Sequence, residues 1–278
     1  MPLPSDLPKL AWPVHALEAS LQSLLPGVRV EGVGSIGSTN TELVERRRLL
    51  PPGECPPPTL LVAEAQTAGR GRLGRSWTSA PGSSLTFSLG LELAPADWGG
   101  LSLAVGLAVA EALADLPGGD RVGLKWPNDL WLRGEDRKLA GILVEAQAGA
   151  HLSGARWTVV GIGINVLPLH GSGSGSGSDE GFRSGYACLQ ELGEPSAPQA
   201  LLRIAPLLLR ALLRFQAEGL APLLATWARR DVLAGRRVTA GERQGVAEGI
   251  DAGGELLLRD DAGTLHRIAS GEVSVRPC

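Results

Sequence analysis

The sequence predicts an α+β protein: a mixed β-sheet flanked by helices, followed by a small C-terminal β-barrel. Two observations carry this prediction. Strand-like and long apolar helical segments alternate through the first 230 residues, and the chain of 278 residues is 44% hydrophobic, enough for one large domain and a small one. From about residue 235, short strands separated by turns replace the helices, as in small all-β domains.

The first part of the chain contains both kinds of element. Val14, Leu17 and Leu21 recur at helical spacing, which predicts a helix over 14–25 that Pro26-Gly27 ends. The apolar segment 100–115 predicts a second, buried helix. Strands are predicted at 28–33, 59–65, 84–91, 121–125, 129–132, 138–145 and 156–165, and further helices at 198–216 and 218–231.

The last part predicts the small barrel. Its strands are expected at 236–239, 245–249, 255–259, 264–268 and 272–276. We therefore divide the chain into an extension with one helix (1–30), a catalytic domain (31–233) and a β-barrel domain (234–278). The GSGSGSGS tract at 171–178 is flexible by composition. It is equally consistent with a native loop and with an engineered linker.

Composition excludes several classes of protein. The net charge of −3 gives neither a nucleic-acid footprint nor an acidic tail. The N-terminus has no signal-peptide pattern, and no apolar run is long enough for a membrane span. Three distant cysteines favour neither a disulfide framework nor a zinc site, so a reducing cytoplasm is expected.

Lysine usage is unusual. Lysine and arginine together number 26, yet Lys9, Lys125 and Lys138 are the only lysines. Lys125 and Lys138 lie in one motif-rich segment, where a compact ammonium group is chemically different from a guanidinium. Chance is the alternative explanation.

The segment Gly69-Arg70-Gly71-Arg72-Leu73-Gly74-Arg75 follows a predicted strand and matches G-x-G-x-x-G. A dinucleotide-binding turn needs a helix to start there, and the following SWTSAPGS cannot form one. Glycine backbone amides together with guanidinium groups instead favour binding of an anionic ligand. A solvated basic turn is the structural alternative.

A second segment, Lys125-Trp126-Pro127-Asn128-Asp129, leads to a third that begins Arg137-Lys138. Lys138 at the start of an apolar strand can meet a phosphate or carboxylate. Asn128 offers an amide to a nucleotide, and Asp129 offers an oxygen to Mg²⁺. Alternatively, Asn128-Asp129 is a simple turn and Lys138 protects a strand edge.

Weaker signals lie elsewhere. Gly161 and Gly163, before Asn165, indicate either close approach of a ligand or a β-bulge. Ser38-Thr39-Asn40, taken alone, favours the N-cap of a short helix over a ligand site. Gln66, at the end of a strand, is ambiguous alone.

Together, these segments resemble the biotin–protein ligase family. The matching pieces occur in the family's order: Ser38-Thr39-Asn40, Gln66 to Arg75, Lys125 to Asp129, Lys138 to Leu143, Gly161 to Asn165, Gly185 to Gln190 and Gly271 to Arg276. The resemblance implies that biotin is activated with ATP to biotinyl-AMP and then transferred to a lysine of a biotin carboxyl carrier protein. No enzyme nucleophile is needed.

The resemblance also implies residue roles. Lys138 and Arg72 would be catalytic, and Asp129 would hold Mg²⁺. Biotin would be bound by Ser38, Thr39, Asn40, Gln66, Gly69, Arg70, Gly71, Arg72, Lys138 and Gly141. ATP would be bound by Arg72, Arg75, Trp77, Lys125, Asn128, Asn165, Tyr186 and Arg276. Tyr186 stands where some members carry a tryptophan that stacks on adenine.

The function has rivals. Some members of the family carry an N-terminal winged helix-turn-helix and repress transcription, but only about 30 residues precede the first strand here. We therefore expect no DNA binding and no membrane association, and a monomer or homodimer. The alternatives are a lipoate ligase or acyltransferase of the same superfamily and a non-catalytic, biotin-responsive regulator.

Overall fold

The computed structural model describes residues 10–51, 54–148, 154–168, 185–270 and 275–278. The Gly/Ser tract at 171–178 lies outside these ranges. The helices are α1 (Val14–Gln22), α2 (Thr39–Arg48), α3 (Leu101–Ala112), α4 (Ala197–Glu218) and α5 (Leu224–Ala228). The strands are β1 (Arg29–Ile36), β2 (Thr59–Gln66), β3 (Ser84–Leu93), β4 (Val122–Lys125), β5 (Asp129–Leu132), β6 (Arg137–Ala148), β7 (Arg156–Asn165), β8 (Arg237–Ala240), β9 (Arg243–Ile250), β10 (Leu256–Arg259), β11 (Leu265–Ile268) and β12 (Val275–Pro277).

Seven strands form one large sheet in the order β1-β2-β3-β7-β6-β5-β4. β1 and β2 are parallel, whereas each of the other neighbouring pairs is antiparallel. The predicted mixed sheet is therefore confirmed. None of the helices that the structure describes has both the length and the apolar character needed to cross a bilayer.

The two faces of this sheet have different roles. Side chains alternate along a strand, so Leu60 and Val62 of β2 point to the main core, which also contains side chains of α1, α3 and α4. Leu61 points to the opposite face and packs in a smaller cluster with Leu43 of α2. This second face is only partly covered, which leaves room for a pocket beside α2.

α1 belongs to the main core, since Leu17 and Leu21 are fully buried there. The prediction of one helix over 218–231 was wrong. This segment forms a 3-10 turn at Ala221–Leu223 and the five-residue α5. Gly219 has a φ of +67°, which ends α4, and Pro222 has no N–H to continue a helical ladder.

The C-terminal strands form a five-stranded antiparallel sheet in the order β11-β10-β9-β8-β12. The predicted barrel was wrong because this sheet stays open: within the described residues, β11 and β12 are its two edges. These edge strands have four and three residues. Closure would require β11 and β12 to pair, and the described residues show no such pair.

The small sheet packs directly against the large one. The indole of Trp126 donates from Nε1 to the carbonyl of Gly254 at 2.9 Å. Arg236 forms a two-pronged ion pair with Asp136, both contacts at 2.6 Å. These contacts hold β12 at the edge of the uncovered face, where Arg276 reaches the pocket.

Candidate active site

A cavity of about 360 Å³ lies on the α2 side of the large sheet, between the Gly/Arg loop (69–75) and β12. This size suits a small-molecule ligand. Most of the predicted site residues line it: Ser38, Thr39, Asn40, Gln66, Arg70, Gly71, Arg72, Arg75, Trp77, Lys125, Asn128, Asp129, Lys138, Gly141 and Arg276. Gly69, Asn165 and Tyr186 are not among the lining residues.

The Gly/Arg loop folds as a short hairpin over the cavity. Gly71 donates its N–H to the carbonyl of Arg75 at 2.7 Å, and Trp77 donates to Gly69 at 2.9 Å. A Cβ at Gly69 would lie 2.3 Å from the carbonyl oxygen of Trp77, so the hairpin itself requires glycine at this position. No helix starts in this loop, only a 3-10 turn at 72–74. The rejection of a dinucleotide turn is therefore confirmed.

Glycines in β6 and β7 make a recess for Trp77. Gly141 and Gly163 are direct partners in the antiparallel ladder. A Cβ at Gly163 would lie 2.3 Å from Cε2 of Trp77, and one at Gly141 would lie 3.4 Å from its ring. Of the two alternatives predicted for Gly161 and Gly163, a close approach therefore applies at Gly163, and the approaching group is an indole of the chain itself. Its buried Nε1 has no partner among the described residues, which leaves it available as a donor to a ligand.

The end of the cavity at α2 is lined mainly by neutral polar groups, and its one cation, Arg70, is paired with Glu145 at the rim. Ser38 caps α2 and accepts from the N–H of Thr41 at 3.4 Å, so the predicted N-cap is confirmed. Thr39 donates to Oε1 of Gln66 from its backbone N–H at 2.8 Å and from its hydroxyl at 3.1 Å. These bonds fix the amide of Gln66 with its NH₂ group as the donor left for a ligand.

The opposite end is charged. Asp129 lies between two ammonium groups, with Nζ of Lys138 at 2.8 Å and Nζ of Lys125 at 3.9 Å. Burial alone would raise the pKa of Asp129, but these two cations more than offset it and hold the pKa below its ordinary value. Asp129 is therefore a carboxylate at neutral pH.

Lys125 is 8% exposed, and its Nζ lies 5.0 Å from the ring centre of Trp131. Burial lowers its pKa to about 8, although Asp129 partly opposes this shift. Lys125 therefore stays mostly protonated at neutral pH and contributes a cation to this end of the cavity.

Arg72 joins the loop to both sheets. It donates to Oδ1 of Asn128 at 3.1 Å and to the carbonyl of Ser270 in the small sheet. Asn128 is oriented by its own bond from Nδ2 to the carbonyl of Ile142 at 2.8 Å. Arg72 thus closes the loop over the charged end of the cavity.

Asn165 and Tyr186 lie behind Lys138. Asn165 donates from Nδ2 to the carbonyls of Lys138 at 3.1 Å and Ala187 at 3.0 Å. Lys138 and Tyr186 form an isolated parallel bridge. Asn165 and Tyr186 therefore hold the chain around residue 186 against β6. Stacking of adenine on Tyr186 remains a prediction, since residues 169–184 are outside the described ranges.

Sequence reasoning missed several side chains at the cavity. Trp131 and Leu143 line it, Ser88 hydrogen-bonds to Thr39 beneath it, and Glu145 contacts Arg70 at its rim. Alternation in the strands could have indicated Leu143, which is two residues from Gly141 and so on the same face. The same alternation places Glu145 on this face, whereas no local pattern marks Ser88.

Two family models match the chain. The model of the biotin/lipoate A/B protein ligase family matches residues 34–165. The model of the biotin protein ligase C-terminal domain matches residues 234–276.

Individual proteins match over longer stretches. The chain is similar to the bifunctional ligase/repressor BirA of Escherichia coli K12, 38% identical over 275 residues, which cover 96% of this chain and 80% of that protein. It is 35% identical over 218 residues to the biotin–[acetyl-CoA-carboxylase] ligase of Paracoccus denitrificans, covering 73% of this chain and 85% of that protein. Among solved structures, a biotin protein ligase from Aquifex aeolicus in complex with biotin and ATP matches with a TM-score of 0.69 and 29% identity, over 90% of this chain and 99% of that one.

Proposed function

The chain belongs to the biotin–protein ligase family, and we propose that the cavity beneath the Gly/Arg loop binds biotin and ATP side by side. The protein is an enzyme that uses ATP to attach biotin to a protein. The observation that carries the proposed site is the division of one cavity into an end lined mainly by neutral polar groups, where Arg70 is paired with Glu145, and a cationic end. A ligand with a ureido ring at one end and a carboxylate at the other fits this division.

Biotin would occupy the polar end and the middle. The NH₂ group of Gln66 and the hydroxyl of Ser38 are positioned to hydrogen-bond the ureido group. Gly141, Leu143 and Trp77 offer the apolar surface that the ring and the valeryl chain need. The carboxylate of biotin would then point toward Lys138.

ATP would occupy the cationic end. Lys125, Lys138 and Arg72 can offset the repulsion between the carboxylate of biotin and the triphosphate, and Arg75 and Arg276 extend the cationic surface toward the rim. The amide of Asn128 is already engaged by the chain, so its contribution to ATP binding is to orient Arg72.

One residue of the cavity, Asp129, is suited to bind Mg²⁺. Asp129 is buried and ionised, and Mg²⁺ in nucleotide sites is commonly held by one or two carboxylates together with phosphate oxygens. Bound there, the ion would supply positive charge to the triphosphate. The described residues contain no cluster of three or more carboxylate, cysteine or histidine ligands.

The reaction has two steps. A carboxylate oxygen of biotin attacks the α-phosphorus of ATP, the bond to the β-phosphate bridging oxygen breaks, and pyrophosphate leaves. Lys138 can contact both reacting groups and stabilise the charge that develops at phosphorus. A neutral lysine amine of the acceptor then attacks the carbonyl of biotinyl-AMP, and AMP leaves. The closed loop excludes water, which would otherwise hydrolyse the mixed anhydride.

The acceptor would be a biotin carboxyl carrier domain of a carboxylase, as the name of the relative from Paracoccus denitrificans suggests for that protein.

We propose that the reaction takes place in the cytoplasm, in line with three cysteines that are not paired with one another. Size-exclusion chromatography with light scattering will distinguish a monomer from a homodimer.

The decisive experiment is biotinylation of a purified carrier domain with ATP, Mg²⁺ and biotin, read on a streptavidin blot. We expect a labelled carrier that depends on ATP and is lost in Lys138→Ala. Calorimetry with biotin and with lipoate tests the ligand. Tighter binding of lipoate, or an unlabelled carrier, would refute the proposed function.

A further inference from the structure

The rim of the cavity carries a carboxylate that the proposed chemistry does not use. Glu145 lies on β6, two residues after Leu143 and four after Gly141. Because side chains alternate along a strand, these three residues share the face that carries the cavity. Gly141 and Leu143 line the cavity, whereas Glu145 lies just beyond it, next to the Gly/Arg loop.

Glu145 joins two segments that are distant in sequence. Its Oε1 lies 3.1 Å from Nη1 of Arg70 in the Gly/Arg loop. Its Oε2 accepts a hydrogen bond from Nδ2 of Asn40, at the start of α2, at 2.9 Å. Arg70 also approaches the hydroxyl of Thr41 at 3.4 Å. One carboxylate therefore links the loop above the cavity to the helix beside it.

The side-chain amide of Asn40 forms hydrogen bonds on both sides of this link. Its Nδ2 donates to the carbonyl of Leu143 at 3.2 Å as well as to Glu145, and its Oδ1 accepts from the hydroxyl of Ser88 at 2.6 Å. A Cβ at Gly161 would lie 2.0 Å from Oδ1, so the glycine is what admits this amide. Asn40 is 3% exposed. With these three bonds made, the amide of Asn40 is fixed in orientation and in turn fixes the groups around it.

The pair is partly exposed, with 25% of the Glu145 side chain and 49% of the Arg70 side chain accessible. Ion pairs with this exposure contribute little to global stability. The effect of this ion pair on the position of the loop is larger, because few other side-chain contacts fix the loop. Arg72 fixes the end of the loop over the charged part of the cavity, and Arg70 fixes the end over the polar part.

We propose that Glu145 is a positioning residue that keeps the Gly/Arg loop closed over the biotin end of the cavity, acting through Arg70 and Asn40. The proposal rests on the proposed function, because the loop encloses biotinyl-AMP only if that intermediate forms. Loss of the carboxylate leaves the first step intact and lets the intermediate escape. It also removes one bond from the buried amide of Asn40.

The test is the release of biotinyl-AMP from Glu145→Gln. Enzyme loaded with radiolabelled biotin and ATP is chased with unlabelled biotin, and the released adenylate is followed on a filter. We expect release to rise about two- to fivefold, which is the upper part of the range for a partly exposed ion pair. The maximal rate of biotin-dependent ATP–pyrophosphate exchange should change less than about twofold, since Glu145 does not contact the reacting atoms. Glu145→Asp, which keeps the charge on a shorter stem, should give an intermediate rate.

The matched control is Glu248→Gln. It removes a carboxylate that pairs with Arg259 at 2.6 Å on the small sheet and is 37% exposed. Release should not change in this variant. The mechanism through Arg70 is tested by Glu145→Gln in an Arg70→Gln background, where the added effect should largely disappear.

An unchanged release rate in folded Glu145→Gln, or the full effect in the Arg70→Gln background, overturns the proposal. If Glu145→Gln does not fold, the release of biotinyl-AMP is measured in Glu145→Asp and in Arg70→Gln instead. A release rate equal to that of the wild type in both variants overturns the proposal. Failure of the wild-type protein to exchange pyrophosphate would instead refute the proposed function itself.

Discussion

Gly163→Ala tests the recess on which Trp77 lies. The added Cβ would be 2.3 Å from Cε2, 2.6 Å from Cζ2 and 2.8 Å from Nε1 of the indole. Carbon atoms in contact are separated by roughly 3.5–4.0 Å, so the ring must withdraw by roughly 1–1.5 Å. Gly163 is paired on both sides, with Gly141 of β6 and with Thr86 of β3, so the strand has little room to move in its place.

Forcing an extra carbon into a packed contact costs about 1–3 kcal/mol. Trp77 is on a loop over the cavity and not in the main core. The cost should therefore appear mainly in the loop, as a rise of roughly 5- to 150-fold in the dissociation constants of the ligands that it encloses. We expect the unfolding temperature to stay near that of the wild type.

Titration calorimetry with biotin and with ATP measures this effect. Gly253→Ala is the matched control, because its Cβ would meet only Oδ1 of Asp251, at 3.5 Å, in the small sheet. In a double-mutant cycle with Trp77→Ala, the penalty of Gly163→Ala should vanish, since the ring is gone. Unchanged affinity for both ligands, or a full penalty without the indole, would show that the recess has no role in binding.

Three further changes test other parts of the site. Lys138→Ala should retain the fold but lose biotin-dependent ATP–pyrophosphate exchange; retained exchange would contradict its catalytic role. Arg72→Ala removes the contacts to Asn128 and Ser270 and should release biotinyl-AMP about tenfold faster, as expected for a charged hydrogen bond; an unchanged chase would argue against closure by Arg72. Burial raises the pKa of Asp231 from 3.8 to about 6, so the folded state binds this proton more tightly than the unfolded state. The free energy of unfolding of the wild type therefore falls by up to about 3 kcal/mol as the pH rises from 4 to 6. Asp231→Asn should abolish that loss, and urea titrations that show the same pH slope in both proteins would refute it.

The sequence predicted the chemistry of the site better than its geometry. Lys138, Arg72 and Asp129 were selected because their types and order match a family, and the fold brings them into one cavity. Strands and caps were also predictable, because alternation and the Ser38 cap depend on neighbours in the chain. β7 was predicted with the bounds that the structure has.

Contacts between distant segments were not predictable. Closure of the small sheet depends on whether β11 meets β12, and neither strand carries that information. The partners of Glu145 are 75 and 105 residues away. Gly163 illustrates the division: the sequence left both a close approach to the backbone and a β-bulge open, and only the tertiary structure shows that Trp77 approaches there. Local preference specifies which atoms a residue offers, but packing decides which atoms they meet.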